Sequence, residues 1–137
     1  MRVIVLTAAA LAFAVPVAAK TYRAINWLPV IPLTNDTFEV IEDRGAGPRG
    51  IWCAAADYTR AIGRDTTRKR LYILEARGPS KRVKGAKSVV FTLEPDEELA
   101  RSPQSYSLSV RRVGDNLAVS HALNFCDLPV DEFLDRF

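Results

Sequence analysis

His121 is the single histidine of the chain, which excludes a zinc or copper site built on two or three imidazoles. A hydrolytic triad would need His121 to serve a serine while a carboxylate orients its ring. Ser120 is its neighbour, but adjacent side chains on the strand read here point to opposite faces. No Gly-x-Ser-x-Gly elbow offers another nucleophile. The same alternation puts His121 beside Val119 and Leu123, as a core or rim residue. Paired carboxylates are the other route to catalysis. Asp96-Glu97-Glu98 follows Pro95 and reads as the acidic first turn of a short helix. Glu39 and Glu42 fall on opposite strand faces, and Asp131, Glu132 and Asp135 lie in the tail, so no pair is singled out. A small periplasmic hydrolase using His121 or a carboxylate pair therefore ranks second among the functions considered. No catalytic residue, metal ligand or cofactor is assigned.

Two other patterns carry less. Gly45-Ala46-Gly47-Pro48-Arg49-Gly50 has the bare spacing of a dinucleotide loop, but Pro48 removes a needed N–H and no buried parallel strand leads into it. Trp27 and Trp52 could flank a groove, although a tryptophan in a small domain more often belongs to the core or an interface.

The charge distribution is more informative. Without Arg2 the chain holds 18 cations and 16 carboxylates, nearly balanced. Between Arg64 and Lys87, however, stand nine cations against only Asp65 and Glu75. Two clusters stand out, Arg68-Lys69-Arg70 and Lys81-Arg82-Val83-Lys84 with Lys87. A strand between them would hold them about 20 Å apart, as two patches at opposite ends. Such patches can steer an anionic partner, an envelope component or an acidic protein face. They also serve as solvated loops that discourage edge pairing. Nucleic acid is a poor partner, because no aromatic stacking platform beyond Tyr72 accompanies the cations.

The elements that must position these residues begin after residue 19. Met1-Arg2 followed by an apolar run from Val3 to Val15, then Pro16 and Val17-Ala18-Ala19, has the layout of a secretory signal peptide cleaved after Ala19. Retention as a membrane anchor is the rival reading. Cleavage leaves residues 20–137 as a single soluble domain of the periplasm or the secreted fraction, with no later transmembrane segment. Fourteen arginines to five lysines, behind such a segment, fit a bacterial cell-envelope protein. In an oxidising compartment the only two cysteines, Cys53 and Cys126, pair. Closing a loop of that length contributes about 4 kcal/mol.

Trp27 to Pro32 holds two prolines and reads as an edge strand or an extended lead-in. Thr37 to Glu42 reads as a strand with Phe38 and Val40 inward. Ile51 to Ile62 carries one apolar helical stripe, closed by Arg60 and Gly63. Cys53 lies on the far side of that stripe, an awkward place for the bridge. Leu71 to Leu74, apolar on both faces, is expected at the centre of the sheet, followed by a strand over Val89 to Leu93. The segments 105–111 and 117–126 alternate cleanly and are expected to pair as a hairpin through Val113-Gly114-Asp115-Asn116. The sum is an α+β fold, an antiparallel sheet of five or six strands packed on one helix and stapled by one disulfide. A small β-barrel with a helix plug is the alternative. The tail from Asp127 to Phe137 forms a last short turn or frays.

Overall fold

Thr37–Ile41, rich in β-branched and aromatic residues, forms β3 and turns Phe38 and Val40 into the core. The computed structural model describes residues 20–65 and 68–126; the expected cleavage position Ala19 and the tail from Asp127 lie outside them. Around β3 are built β1 (Tyr22–Arg23), β2 (Pro29–Pro32), β4 (Arg70–Pro79), β5 (Lys87–Thr92) and β6 (Asn116–Ala118). The six strands form one antiparallel sheet in the order β1-β2-β3-β5-β4-β6. Its end strands do not pair with each other, so the sheet is open and the barrel alternative falls. With the helices α1 (Pro48–Ala61), α2 (Glu97–Ala100) and α3 (Val119–Leu123), the fold is α+β. The short acidic helix after Pro95 is α2, capped by the Asp96 carboxylate accepting from Leu99 N at 2.8 Å.

Helix α1 starts at Pro48, where a missing N–H costs nothing, three residues earlier than the apolar stripe suggests. Its alanines let it lie close on the sheet, where Trp52 meets Phe91 at 5.0 Å between ring centroids and Tyr58 meets Phe38 at 4.7 Å. Every residue from Ile51 to Thr59 is buried, not one stripe alone. The far side of the helix is covered by α3 and the 3-10 turn Asn124–Cys126. This resolves the position of Cys53: it faces the C-terminal segment, and it is bridged to Cys126 with Cα atoms 5.0 Å apart.

Three expectations about strands are corrected. The Pro29–Pro32 strand is not at the edge: β2 pairs with β3 on one side and with the short β1 on the other. The central strand, buried on both faces from Ser88 to Thr92, is β5. In β4 Leu71 and Ile73 point inward while Tyr72 is half-buried and Leu74 exposed, and register shifts follow Ile73 and Glu75. The hairpin over 105–126 does not form. The turn is present, with Gly114 at φ +91° in a place where a Cβ would lie 2.5 Å from Ser102 Oγ. But the chain before it is irregular: Leu108 and Val110 pack inward, whereas Tyr106, in phase with them, is 98% exposed. The chain after it pairs with β4 for only three residues. It then coils into α3, because Val119 and Ala122, three apart, seat under α1 and Cys126 must reach Cys53. A continued strand would carry Cys126 away along the sheet.

Candidate functional site

The β4–β5 connection, Ser80 to Ala86, is built around a buried carboxylate. Glu39 sits in the middle of β3 with its side chain on the face opposite Phe38 and Val40, and it is fully buried. Its Oε1 accepts from Ser80 Oγ at 2.8 Å and Arg82 N at 3.1 Å. Its Oε2 accepts from Lys81 N at 3.0 Å and Ser88 Oγ at 2.8 Å. Burying a carboxylate is unfavourable unless its lone pairs are filled, and here four donors fill them. Ser80 Oγ also accepts from Val83 N at 2.9 Å, Ser80 N donates to Ala86 O, and Gly85 takes φ +83°. The loop is therefore tied down from inside, and its backbone shape is set by Glu39.

What the loop displays is cationic. Lys81 reaches Glu75 at 3.0 Å, while Arg82, Lys84 and Lys87 are exposed and make no ion pair among the described residues. Val83, also exposed, stands between Arg82 and Lys84 at the tip. Beside the loop, Arg77 holds Glu42 in a two-pronged ion pair, which keeps the Glu42 carboxyl below its ordinary range.

The second basic cluster is arranged differently. Lys69 donates to Glu94, which also takes Arg64, and the Lys69 contact holds the Glu94 carboxyl below its ordinary range. Arg70 Nε donates to Asn116 Oδ1 at 2.8 Å and its Nη2 to Asn116 O at 3.3 Å, tying β4 to β6. Arg68 is exposed. Of this cluster, Lys69 and Arg70 are engaged in holding the fold. The ten-residue strand β4 separates the two clusters by about 30 Å, so they act as separate patches.

His121 lies on α3 rather than on a strand, exposed, with its ring 5.5 Å from that of Phe125. It lines an open cleft of about 160 Å³ with Arg70, Gln104 and Tyr106. Neither a serine nor a carboxylate is hydrogen-bonded to it among the described residues. A larger open hollow of about 480 Å³ is lined by the Ser102–Ser107 loop together with Arg112 and Asp115. No group of three or more His, Cys, Asp or Glu side chains is gathered as metal ligands among the described residues.

Sequence patterns missed two features. One is the role of Glu39; an acidic residue inside Thr-Phe-Glu-Val-Ile, with a Ser-flanked basic loop elsewhere in the chain, is the only hint of it. The other is the turn from Ala24 to Leu28. There Trp27 adopts φ +70°, a left-handed conformation unusual for a bulky side chain, and is 55% exposed beside exposed Ile25. Trp52, in contrast, is a core residue whose Nε1 donates to Leu108 O. The turn is fastened to α1: Asn26 Nδ2 donates to Gly50 O at 2.7 Å, and Ile25 N donates to Asp57 Oδ2 at 2.9 Å. Buried Asp57 also accepts from Tyr22 Oη and Arg60; burial first, then this bond, raises the Tyr22 phenol above its ordinary value.

Comparison with known proteins returned no matching family model, no matching curated protein and no matching solved structure.

Proposed function

We propose that this chain is an exported binding module of the bacterial cell envelope, working without catalysis, whose Lys81–Lys87 loop docks an anionic partner. The observation that carries this reading is the burial of Glu39 beneath the loop. A solvated loop serving only as a connection has no need of a buried carboxylate with four hydrogen bonds; a loop that must present Arg82, Lys84 and Lys87 in one arrangement does. The disulfide and the apolar segment ahead of residue 20 support export into an oxidising compartment. Arg68 and the engaged Lys69 and Arg70 form a weaker second patch, about 30 Å away.

The test is retention of the purified protein on an immobilised sulfated polysaccharide, used as a generic polyanion, across a salt gradient. Retention should weaken steeply with salt, because each cation engaged adds to the salt dependence. Reversing Arg82, Lys84 and Lys87 to Glu together should abolish retention, whereas Arg68→Glu alone should shift it slightly. Elution of the unaltered protein with the void volume at 0.1 M salt would overturn the proposal. So would equal retention of the triple reversal with its circular dichroism unchanged.

A further inference from the structure

We propose that the anionic partner is a phospholipid surface, met by three loops at one end of the sheet with Trp27 entering the headgroup layer; this rests on the basic-loop reading above. The strand register brings the loops together. Val30 pairs with Val40, so Pro29 stands opposite Ile41, and Ile41 pairs with Ser88. The turn before Pro29, the chain leaving Ile41 and the loop before Lys87 therefore all emerge from the same end. The first and last are separated by three strand spacings, about 15 Å. The 80–87 loop folds over the Glu39 face and the 24–28 turn leans on α1, so between them they span both layers of that end.

Charge and apolar surface at this end are mixed as a membrane interface requires. Arg23, Arg44, Arg77, Lys81, Arg82, Lys84 and Lys87 face five carboxylates: Glu42, Asp43, Glu75 and the buried Glu39 and Asp57, the last also paired with Arg60. Among these cations stand three exposed apolar side chains, Ile25, Trp27 and Val83, one or two to a tip. Tryptophan favours the headgroup level, where its ring is half desolvated and its N–H remains hydrated. A left-handed tryptophan is an unfavourable way to close a turn, and residues so strained persist where the surroundings force them. Here Asn26 and Asp57 hold the turn from the helix side and leave Trp27 projecting. A protein groove would be expected to meet a continuous apolar patch; separate tips ringed by cations suit a soft, anionic, laterally uniform surface.

The experiment mixes the full chain with vesicles of phosphatidylglycerol or of phosphatidylcholine and reads tryptophan emission and co-sedimentation. Trp52 is fully buried and serves as a constant background, so a change of emission reports Trp27. A blue shift with phosphatidylglycerol, quenched by brominated acyl chains and reversed by 0.5 M salt, is the expected result. A retained apolar segment from Val3 to Ala19 would insert into both lipids alike, so the comparison between them isolates the charged face. Reversal of Arg82, Lys84 and Lys87 to Glu should lower partition into the anionic vesicles by about a hundredfold or more. Trp27→Ala should remove the shift while leaving the far-ultraviolet circular dichroism intact. Polyanion binding without vesicle binding overturns the lipid surface and leaves the basic loop with an acidic polymer or protein as partner. Vesicle binding with unshifted Trp27 emission overturns the three-loop face. Binding to neither overturns both proposals.

Discussion

Replacing Glu39 by Gln changes one atom and separates a designed loop from a passive one. The two carboxylate oxygens each accept one backbone N–H and one serine hydroxyl: Arg82 N with Ser80 Oγ, and Lys81 N with Ser88 Oγ. A glutamine amide must put Nε2 at one of these places. The serine there can rotate its hydroxyl and accept, but the backbone N–H cannot. With Nε2 at the Oε2 place the Lys81 N–H is left facing another donor; at the Oε1 place the Arg82 N–H loses the carboxylate and keeps only Ser80 Oγ, 3.1 Å away. Losing a hydrogen bond to a charged group costs roughly 1.5–3 kcal/mol. We expect about 2 kcal/mol, hence exchange of the Lys81 and Arg82 amides about thirtyfold faster if the loop opens to relieve the clash. Hydrogen exchange of these two amides, beside guanidinium unfolding, is the assay. Glu75→Gln is the control, since it breaks only the exposed pair with Lys81 and should cost less than about 0.5 kcal/mol. If Glu39→Gln matched Glu75→Gln in both stability and exchange, the loop would not be held by Glu39 and the case for a presented cationic surface would lose its footing.

Other consequences follow from the same contacts. Removing the bridge by Cys53→Ser with Cys126→Ser should lower unfolding free energy by about 4 kcal/mol, read by denaturant titration, with protection lost first in α3. Glu42 and Glu94 have carboxyls depressed by Arg77 and Lys69, so their contribution is present above the ordinary carboxylate range and is lost as pH falls below about 4.5. Both lie at the surface and together contribute under about 1 kcal/mol; Glu42→Gln with Glu94→Gln should flatten the stability profile between pH 5 and 3 by that amount. At Trp27 the ordinary ranking of Ala over Gly should invert. Both variants lose the ring, but only Gly is at ease at φ +70°, so Trp27→Gly should be more stable than Trp27→Ala by about 1 kcal/mol in thermal unfolding.

Much of the architecture was legible in local patterns, because local patterns are where burial on one face leaves a period. Phe38 and Val40, the apolar stripe of α1 with its Gly63 stop, the acidic start of α2 and the Cys53–Cys126 pair could all be read from residue types and spacing. The two basic clusters stand at opposite ends of one strand, as read, but β4 is ten residues long and sets them about 30 Å apart rather than about 20 Å. The failures lie where a tertiary partner overrode the period. Residues 105–126 alternate as strands do, yet β4 offers its edge to only a short stretch of them, and the need to cover the second side of α1 coils Val119–Leu123 instead. Glu39 looked like an outward strand residue; it is buried because a loop forty residues downstream folds over it with two backbone N–H groups and two hydroxyls. Trp27 carried no signal of its left-handed turn, which α1 enforces through Gly50 and Asp57. Composition and periodicity determine which residues seek burial and which carry charge. Only the folded chain decides which buried polar group finds donors, and so which charged loop has a fixed shape, because those donors come from segments distant in sequence.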